Sequence, residues 1–357
     1  MSGAMVGAEF CVKVTMKLKR NGMALFAAIA LNLMAAASLA QTASSVTAAK
    51  VIIDTDIGDD VDDVFAVGLA LSSPELKVVG ISSAWGDTAL RSRMVDRLLC
   101  ETGREDIPSL QGISKTGTGA GAFSQKPWAM AGIEHPHNDA VAFLLDQIKQ
   151  NPGEITLLAI GPLSNIGAAI DRDSETFRKL KRVVMMGGSI YRGYDDGLGL
   201  IAPAPPSPEY NIAMDPAAAQ KLFHSGVPIY MMPLDSTQLK FDETKRALLA
   251  SISTPLTDSL QVLTAEWTRV THQPTPTMFD VVAAAYLVDP KACPVTPLHI
   301  EVDNAGSTRV QPGLPNANVC LQQQEEAFFK MLVPRLMNQR LIGTKGCLAP
   351  AKASATP

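Results

Sequence analysis

Hydrophobic residues in this chain gather into short unbroken runs that alternate with stretches of helical period. Val51-Ile52-Ile53, Lys77–Ser82, Ile155–Ile160, Val183–Met186 and Pro228–Pro233 read as strands, and their nearly continuous apolar character suits strands buried on both faces. Between them, Val64–Leu71 opens one helix. Gly86-Asp87-Thr88 starts another, with Leu90, Met94, Leu98 and Leu99 on one side. Ile166 and Ile170, Pro216–Phe223 and Thr257–His272 mark three more. This alternation predicts an α/β fold: a single domain with a mostly parallel, Rossmann-like central sheet flanked by helices. Two segments break the rhythm, Ser114–Gly132 and Tyr191–Pro208, rich in Gly with Ser and Thr or with Pro. Connections of that length are expected to be lids or binding loops.

The ends of the chain read differently. Lys13, Lys17, Lys19 and Arg20 precede an apolar run, Met23–Ala37, and Ser38-Leu39-Ala40 then supplies small residues where a signal peptidase reads. Residues 1–40 are therefore predicted to be a signal peptide, 50–343 the folded domain and 344–357 a disordered tail. The expected location is periplasmic or secreted, with no membrane contact after cleavage. The net charge of −4 becomes more acidic when those basic residues are removed, and no basic cluster remains. That argues against nucleic acid or an anionic membrane as partner. Cleavage leaves Cys100, Cys293, Cys320 and Cys347 in an oxidising compartment. Cys293 and Cys320 flank a predicted hairpin and are expected to pair, whereas Cys100, at the end of an amphipathic helix, is expected as a buried free thiol. No Cys-x-x-Cys pair offers a zinc site.

The chemistry concentrates where the first strand ends. Asp54, Asp56, Asp59, Asp60, Asp62 and Asp63 lie between that strand and an apolar helix. Such a density of negative charge needs a cation to neutralise it. Carboxylate oxygens in that number suit a hard divalent ion, and Ca²⁺ accepts crowded, irregular ligand sets more readily than Mg²⁺.

Asp54-Thr55-Asp56-Ile57-Gly58 with Asp62-Asp63 resembles the aspartate signature of the inosine–uridine-preferring nucleoside hydrolases. Ile160-Gly161-Pro162-Leu163-Ser164-Asn165-Ile166, Met185-Met186-Gly187-Gly188, Pro208-Glu209-Tyr210-Asn211 and Phe279-Asp280 follow in family order over about residues 50–340. The resemblance implies the nucleoside hydrolase fold and Ca²⁺-dependent hydrolysis of the N-glycosidic bond of ribonucleosides to free base and ribose. It implies that Asp56, Asp63, Asp280 and the main-chain carbonyl of Ile160 hold the ion, and that Asp56 also takes the proton from the attacking water. Asp62, Glu209 and Asn211 would bond the ribose hydroxyls. Asp87 matches a ribose-proximal position and reads equally as a helix N-cap; Met186 packs under the sugar or in the core. A small nucleoside substrate and a homodimer or homotetramer follow from the same resemblance.

The chain departs from the family in two places. Asp59-Asp60 are two extra residues, which leaves open whether they or Asp62-Asp63 form the ligand pair; Asp54 is then a buttress behind the ligands. Phe279 stands where many members carry a histidine that protonates the leaving group. Trp85, Trp128, Tyr191 and Tyr194 offer faces for a base, with ordinary packing the favoured reading of each. His135 and His137 read as surface residues, and Asp235 as the cap of the following turn. Two other functions compete. In a phosphohydrolase of the haloacid dehalogenase type, Asp54 would be nucleophile, Asp56 acid and Mg²⁺ the ion. In a non-catalytic periplasmic nucleoside- or ribose-binding protein, the site would bind without turnover.

Overall fold

The alternation of strands and helices is realised almost where the hydrophobic runs place it. The computed structural model describes residues 48–115, 123–195 and 204–350. Its first half runs β1 (Ala49–Thr55), α1 (Asp62–Leu71), β2 (Leu76–Ser83), α2 (Thr88–Glu101), β3 (Ser109–Gln111), α3 (Lys126–Ala131), β4 (Asn138–Asp139), α4 (Ala140–Gln150), β5 (Thr156–Ile160) and α5 (Ser164–Arg172). After the short α6 (Ser174–Phe177) come β6 (Arg182–Met186), α7 (Tyr210–Ala213), α8 (Pro216–Phe223), β7 (Ile229–Met232), α9 (Leu234–Thr237), α10 (Glu243–Ala250), α11 (Pro255–Thr271) and α12 (Phe279–Val288). Four strands and a helix follow: β8 (Val295–Leu298), β9 (Ile300–Val302), β10 (Thr308–Val310), β11 (Ala317–Cys320) and α13 (Glu325–Asn338).

One sheet takes nine strands in the order β4-β3-β2-β1-β5-β6-β7-β11-β8, while β9 and β10 pair separately. Neighbours in the large sheet are parallel except β11 with β8. Successive residues of β1 serve opposite faces. Val51 and Ile53 enter a core shared with α1, α2, α11, α12 and α13, and Ile52 enters one shared with α4, α5 and α8. Covering both faces is why these strands carry no polar alternation. α11 starts two residues before the expected Thr257, because Thr254 and Thr257 form a reciprocal capping box and Pro255 has no N–H to lose at the first helical position.

The strand order places the functional end of the molecule. β2, β3 and β4 extend the sheet on one side of β1, and β5, β6 and β7 extend it on the other. Connections leave β1 and β5 in opposite directions, which opens a crevice at their carboxyl ends. The acidic segment begins there.

Cys293 and Cys320 are bridged as expected, tying the start of β8 to the end of β11. Cys100 is not a free thiol: it is bridged to Cys347, 247 residues away. Residues 344–350, read as tail from the sequence, are held by that bridge and by two main-chain bonds, Thr344 N–H to the Cys100 carbonyl and Ala349 N–H to the Ala131 carbonyl, both at 2.9 Å. Composition alone could not show this, since the segment is polar and rich in small residues. The expected signal peptide, 1–40, and residues 351–357 lie outside the described residues. At the sheet edges, β8 carries Pro297 opposite Asn318 of β11, and β4 is two residues long. Among the described residues, no helix is long and apolar enough to cross a membrane.

Candidate active site

Thr55, the last residue of β1, organises the turn beyond it. Its hydroxyl accepts the Ile57 N–H at 3.1 Å and donates to the Asp63 carboxylate. Asp62 and Asp63 occupy the first turn of α1, and Asp280 occupies the first turn of α12. Unpaired N–H groups and the helix dipole favour carboxylates at such ends. The Asp280 N–H donates to Asp62 Oδ2 at 2.9 Å. One carboxylate oxygen from each of Asp62, Asp63 and Asp280 lies within 4.8 Å of the others. The two helices thus deliver three buried carboxylates to one point.

This point opens into a cleft of about 240 Å³, also lined by Asp56, Met186, Glu209 and Asn211. Glu209 caps α7 and accepts three main-chain N–H groups, from Gly188 (2.8 Å), Asn211 (2.9 Å) and Ile212 (3.3 Å). Asn211 donates to the Met186 carbonyl at 3.2 Å. The Glu-x-Asn pair is thereby fixed to the end of β6.

Burial dominates the electrostatics. It raises the carboxyl groups of Asp62, Asp63 and Asp280 well above their usual range, and repulsion from neighbouring aspartates, Asp56 among them in each case, raises them further. Burial likewise pushes Asp56 up to about 7, against the pull of Arg91, and Glu209 up to about 7 against its three N–H donors. Arg91, on α2, is the countercharge that sequence reading missed. Its buried guanidinium pairs with Asp59 Oδ2 at 2.8 Å and donates to the carbonyls of Asp56, of Ile57 (2.9 Å) and of Trp85 (2.9 Å). Nothing local marks it, because its partners in the acidic segment lie more than thirty residues away and its helix position looks like a polar flank.

These contacts separate the two candidate aspartate pairs. Asp59 spends one oxygen on Arg91 and the other on the Phe123 N–H at 2.7 Å, whereas Asp62 and Asp63 meet Asp280. Asp60 lines the cleft and bonds the N–H of its neighbour Val61. Asp54 does not line it. Its Oδ1 accepts from Ser82 (2.5 Å) and Asn165 (2.8 Å). Ile160 ends β5 beside Thr55, and a Cβ on the following Gly161 would stand 2.8 Å from the Asp56 nitrogen.

Other readings change. Asp87 is an exposed N-cap that accepts the Leu90 N–H at 3.0 Å and does not line the cleft. Trp85 and Trp128 are buried and do not line it, and Tyr191 is exposed. Tyr194 does line it, its ring edge-on to Phe279 at 6.2 Å and its hydroxyl accepting the Tyr210 N–H at 3.0 Å. Tyr210 also lines it, although no role was assigned to that residue of the motif. His135 is exposed as expected, but the His137 side chain is buried and meets Asp96 at 2.7 Å. Asp235 does not cap its own turn; it accepts the N–H groups of Ile190 (2.9 Å) and Tyr191 (2.8 Å) and so anchors the start of the loop that carries Tyr194.

The donor set consists of buried carboxylates too close together to stay ionised unaided, which fits a hard divalent cation. Residues 51–330 match the family of inosine-uridine preferring nucleoside hydrolases. The chain belongs to this family. It is 35% identical over 211 residues to uridine nucleosidase 1 of Arabidopsis thaliana, covering 54% of this chain and 59% of that one. It is 34% identical over 216 residues to a pyrimidine-specific ribonucleoside hydrolase of Citrobacter koseri, covering 56% and 65%. These matches span roughly three fifths of the relatives' length. Among solved structures, a plant nucleoside hydrolase superposes with a TM-score of 0.69 at 24% identity, over 81% of this chain and 99% of that one. A purine-preferring ribonucleoside hydrolase from Gardnerella vaginalis gives 0.68 at 24% identity, over 81% and 98%. At that identity they bear on the fold alone. The phosphohydrolase reading fails on this family match and on Asp54, its nucleophile, which does not line the cleft.

Proposed function

We propose that this chain hydrolyses the N-glycosidic bond of ribonucleosides to free base and ribose, with Ca²⁺ bound at the acidic cluster. The observation that carries this is the convergence of Asp62, Asp63 and Asp280, from two helix ends, in the same cleft as the fixed pair Glu209 and Asn211. The family and the names of its relatives support a ribonucleoside substrate, and a pyrimidine nucleoside such as uridine is the first to assay.

Asp63, Asp280, Asp56 and the Ile160 carbonyl would hold the ion, and Asp62, which has a carboxylate oxygen within 4.8 Å of those of Asp63 and Asp280, would stand beside it to bond the ribose hydroxyls. A bound Ca²⁺ would act as a Lewis acid, lowering the pKa of water and orienting the sugar hydroxyls. Asp56 removes the proton from the attacking water, whose oxygen bonds to the anomeric carbon as the C–N pair leaves with the base. The surrounding carboxylates stabilise the positive, oxocarbenium-like sugar in the transition state. Glu209, its geometry set by three N–H donors, and Asn211 hold the ribose. Phe279 and Tyr194 face the base side. Phe279 has no proton to give, and burial raises the Tyr194 phenol, so the base departs without strong acid assistance.

Residues 1–40 we read as a signal peptide and the enzyme as periplasmic or secreted; two disulfides are consistent with an oxidising compartment. A reducing-sugar assay of the protein after signal removal, over a nucleoside panel with chelator and then with calcium restored, tests the function. Calcium-restored release of ribose supports it. Nucleoside binding by calorimetry with no ribose released from any member overturns it in favour of a binding protein.

A further inference from the structure

The acidic segment is gripped from outside by the three residues that precede α3. Phe123 N–H donates to Asp59 Oδ1 at 2.7 Å, and the Ser124 hydroxyl to the Asp59 carbonyl at 2.6 Å. Gln125 donates its N–H to the Gly58 carbonyl at 3.1 Å and its side-chain amide to the Asp60 carbonyl at 2.7 Å. Gln125 is wholly buried, and the Phe123 ring packs directly on Gly58. The socket thus closes around Asp59-Asp60, the two residues by which this chain exceeds the family's spacing.

α3 is held in turn from its far end. Arg97 donates to the Trp128 carbonyl at 2.6 Å with its guanidinium 4.0 Å over the Trp128 ring, and Arg93 donates to the Gly132 carbonyl at 2.8 Å. The C-terminal segment completes the hold: Ala349 bonds the Ala131 carbonyl, and Leu348 forms a bridge with Gly132. That segment has little apolar grip of its own. Between Leu341 and Pro350, Cys347 is the one buried residue, while Ile342 and Leu348 are 82% and 54% exposed. It is fixed to α2 by the bond from Cys347 to Cys100 and by the Thr344 N–H on the Cys100 carbonyl.

We propose that the Cys100–Cys347 disulfide is a redox-sensitive strap on the candidate site: it holds residues 344–350 against α3, α3 holds the acidic segment, and opening the bond loosens the cation site. A small dithiol reductant opens it by thiol–disulfide exchange. The reductant gives two electrons and two protons and becomes a disulfide; the sulfur–sulfur bond of the protein breaks and two thiols form. Only the use of calcium as a probe rests on the reading of function given above.

The test compares the full chain with Cys100→Ser/Cys347→Ser and with Ala349→Pro, which keeps the disulfide and removes the N–H that bonds Ala131. Hydrogen exchange and calorimetric titration with calcium alone are read on each. In the cysteine variant, exchange should accelerate at residues 123–132 and 57–61, and calcium binding should weaken by at least about fivefold, the lower range of coupling between linked sites. Ala349→Pro should shift both in the same direction, so the strap stays testable if the cysteine variant does not fold. Faster exchange confined to 344–350, with unchanged calcium affinity, overturns the proposal. A parent that binds no calcium sinks the calcium reading instead, and exchange at 57–61 still decides the strap.

Discussion

The main-chain N–H of Asp280 donates to the Asp62 carboxylate at 2.9 Å, across 218 residues of sequence. This bond joins the first turns of α1 and α12 and fixes the distance between carboxylates on separate helices. It also holds like charges together inside the protein, an arrangement that becomes favourable once a cation is shared between them.

Replacement of one member should therefore have opposite effects with and without metal. At pH 8 and without metal, Asp280→Asn should unfold at a higher temperature than the parent, because one buried like charge is gone. With calcium at a hundred times its dissociation constant, the parent gains about 2.7 kcal/mol and the variant far less. Scanning calorimetry with and without chelator reads the crossing. The same order of stability in both conditions would contradict a shared cation.

The metal-free protein should lose stability as pH rises. Burial holds Asp54 and Asp60 at about 6 and Asp56 and Glu209 at about 7 in the folded state. Unfolded, the same groups titrate near ~4. The folded state thus binds more protons, and its advantage is complete below about pH 4 and disappears as pH climbs through about 7. Calcium should flatten that slope. Melting temperatures over this range, with chelator and with calcium, measure both.

The base side of the cleft sets a substrate order. With Phe279 in place of a proton donor, p-nitrophenyl riboside should be cleaved with a far higher kcat/KM than uridine, and Phe279→His should narrow the gap by raising uridine. Asp56→Asn should abolish turnover of both, by two or more orders of magnitude, as loss of a general base does. Equal efficiency on both substrates in the parent would point to an acid elsewhere in the cleft.

Gly58 has a φ of 124°, and a Cβ there would sit 2.4 Å from the Phe123 ring. Gly58→Ala should cost about 1–3 kcal/mol through backbone strain and overpacking. Adding Phe123→Ala should recover the overpacking share and leave the share due to φ. Urea unfolding of the two single variants and the double variant separates them.

How far the chain could be read before its structure follows the range of the interactions involved. Strand and helix positions were legible because burial on both faces of a sheet leaves uninterrupted apolar runs, as in Thr156–Ile160. Asp62, Asp63, Glu209, Asn211 and Asp280 were legible as a set through the resemblance of their motifs to one family. Arg91, the Cys100–Cys347 bond and the grip of Asp235 on Ile190 and Tyr191 were not, since each depends on a distant partner. Asp87, which read equally as a ribose-proximal position and as a helix N-cap, is found capping α2.

The sheet's two edges constrain how copies of this protein can meet. An open edge strand offers a ladder of free N–H and C=O groups on which another chain can crystallise its own strand, the first step toward fibres. Here β8 breaks that ladder with Pro297, which has no N–H to give, and β4 is too short to template anything. A dimer or tetramer is then expected to assemble through surfaces other than the two edges of the nine-stranded sheet. Its interfaces would be discrete patches of side chains, which individual substitutions can dissolve without disturbing the sheet that carries the site.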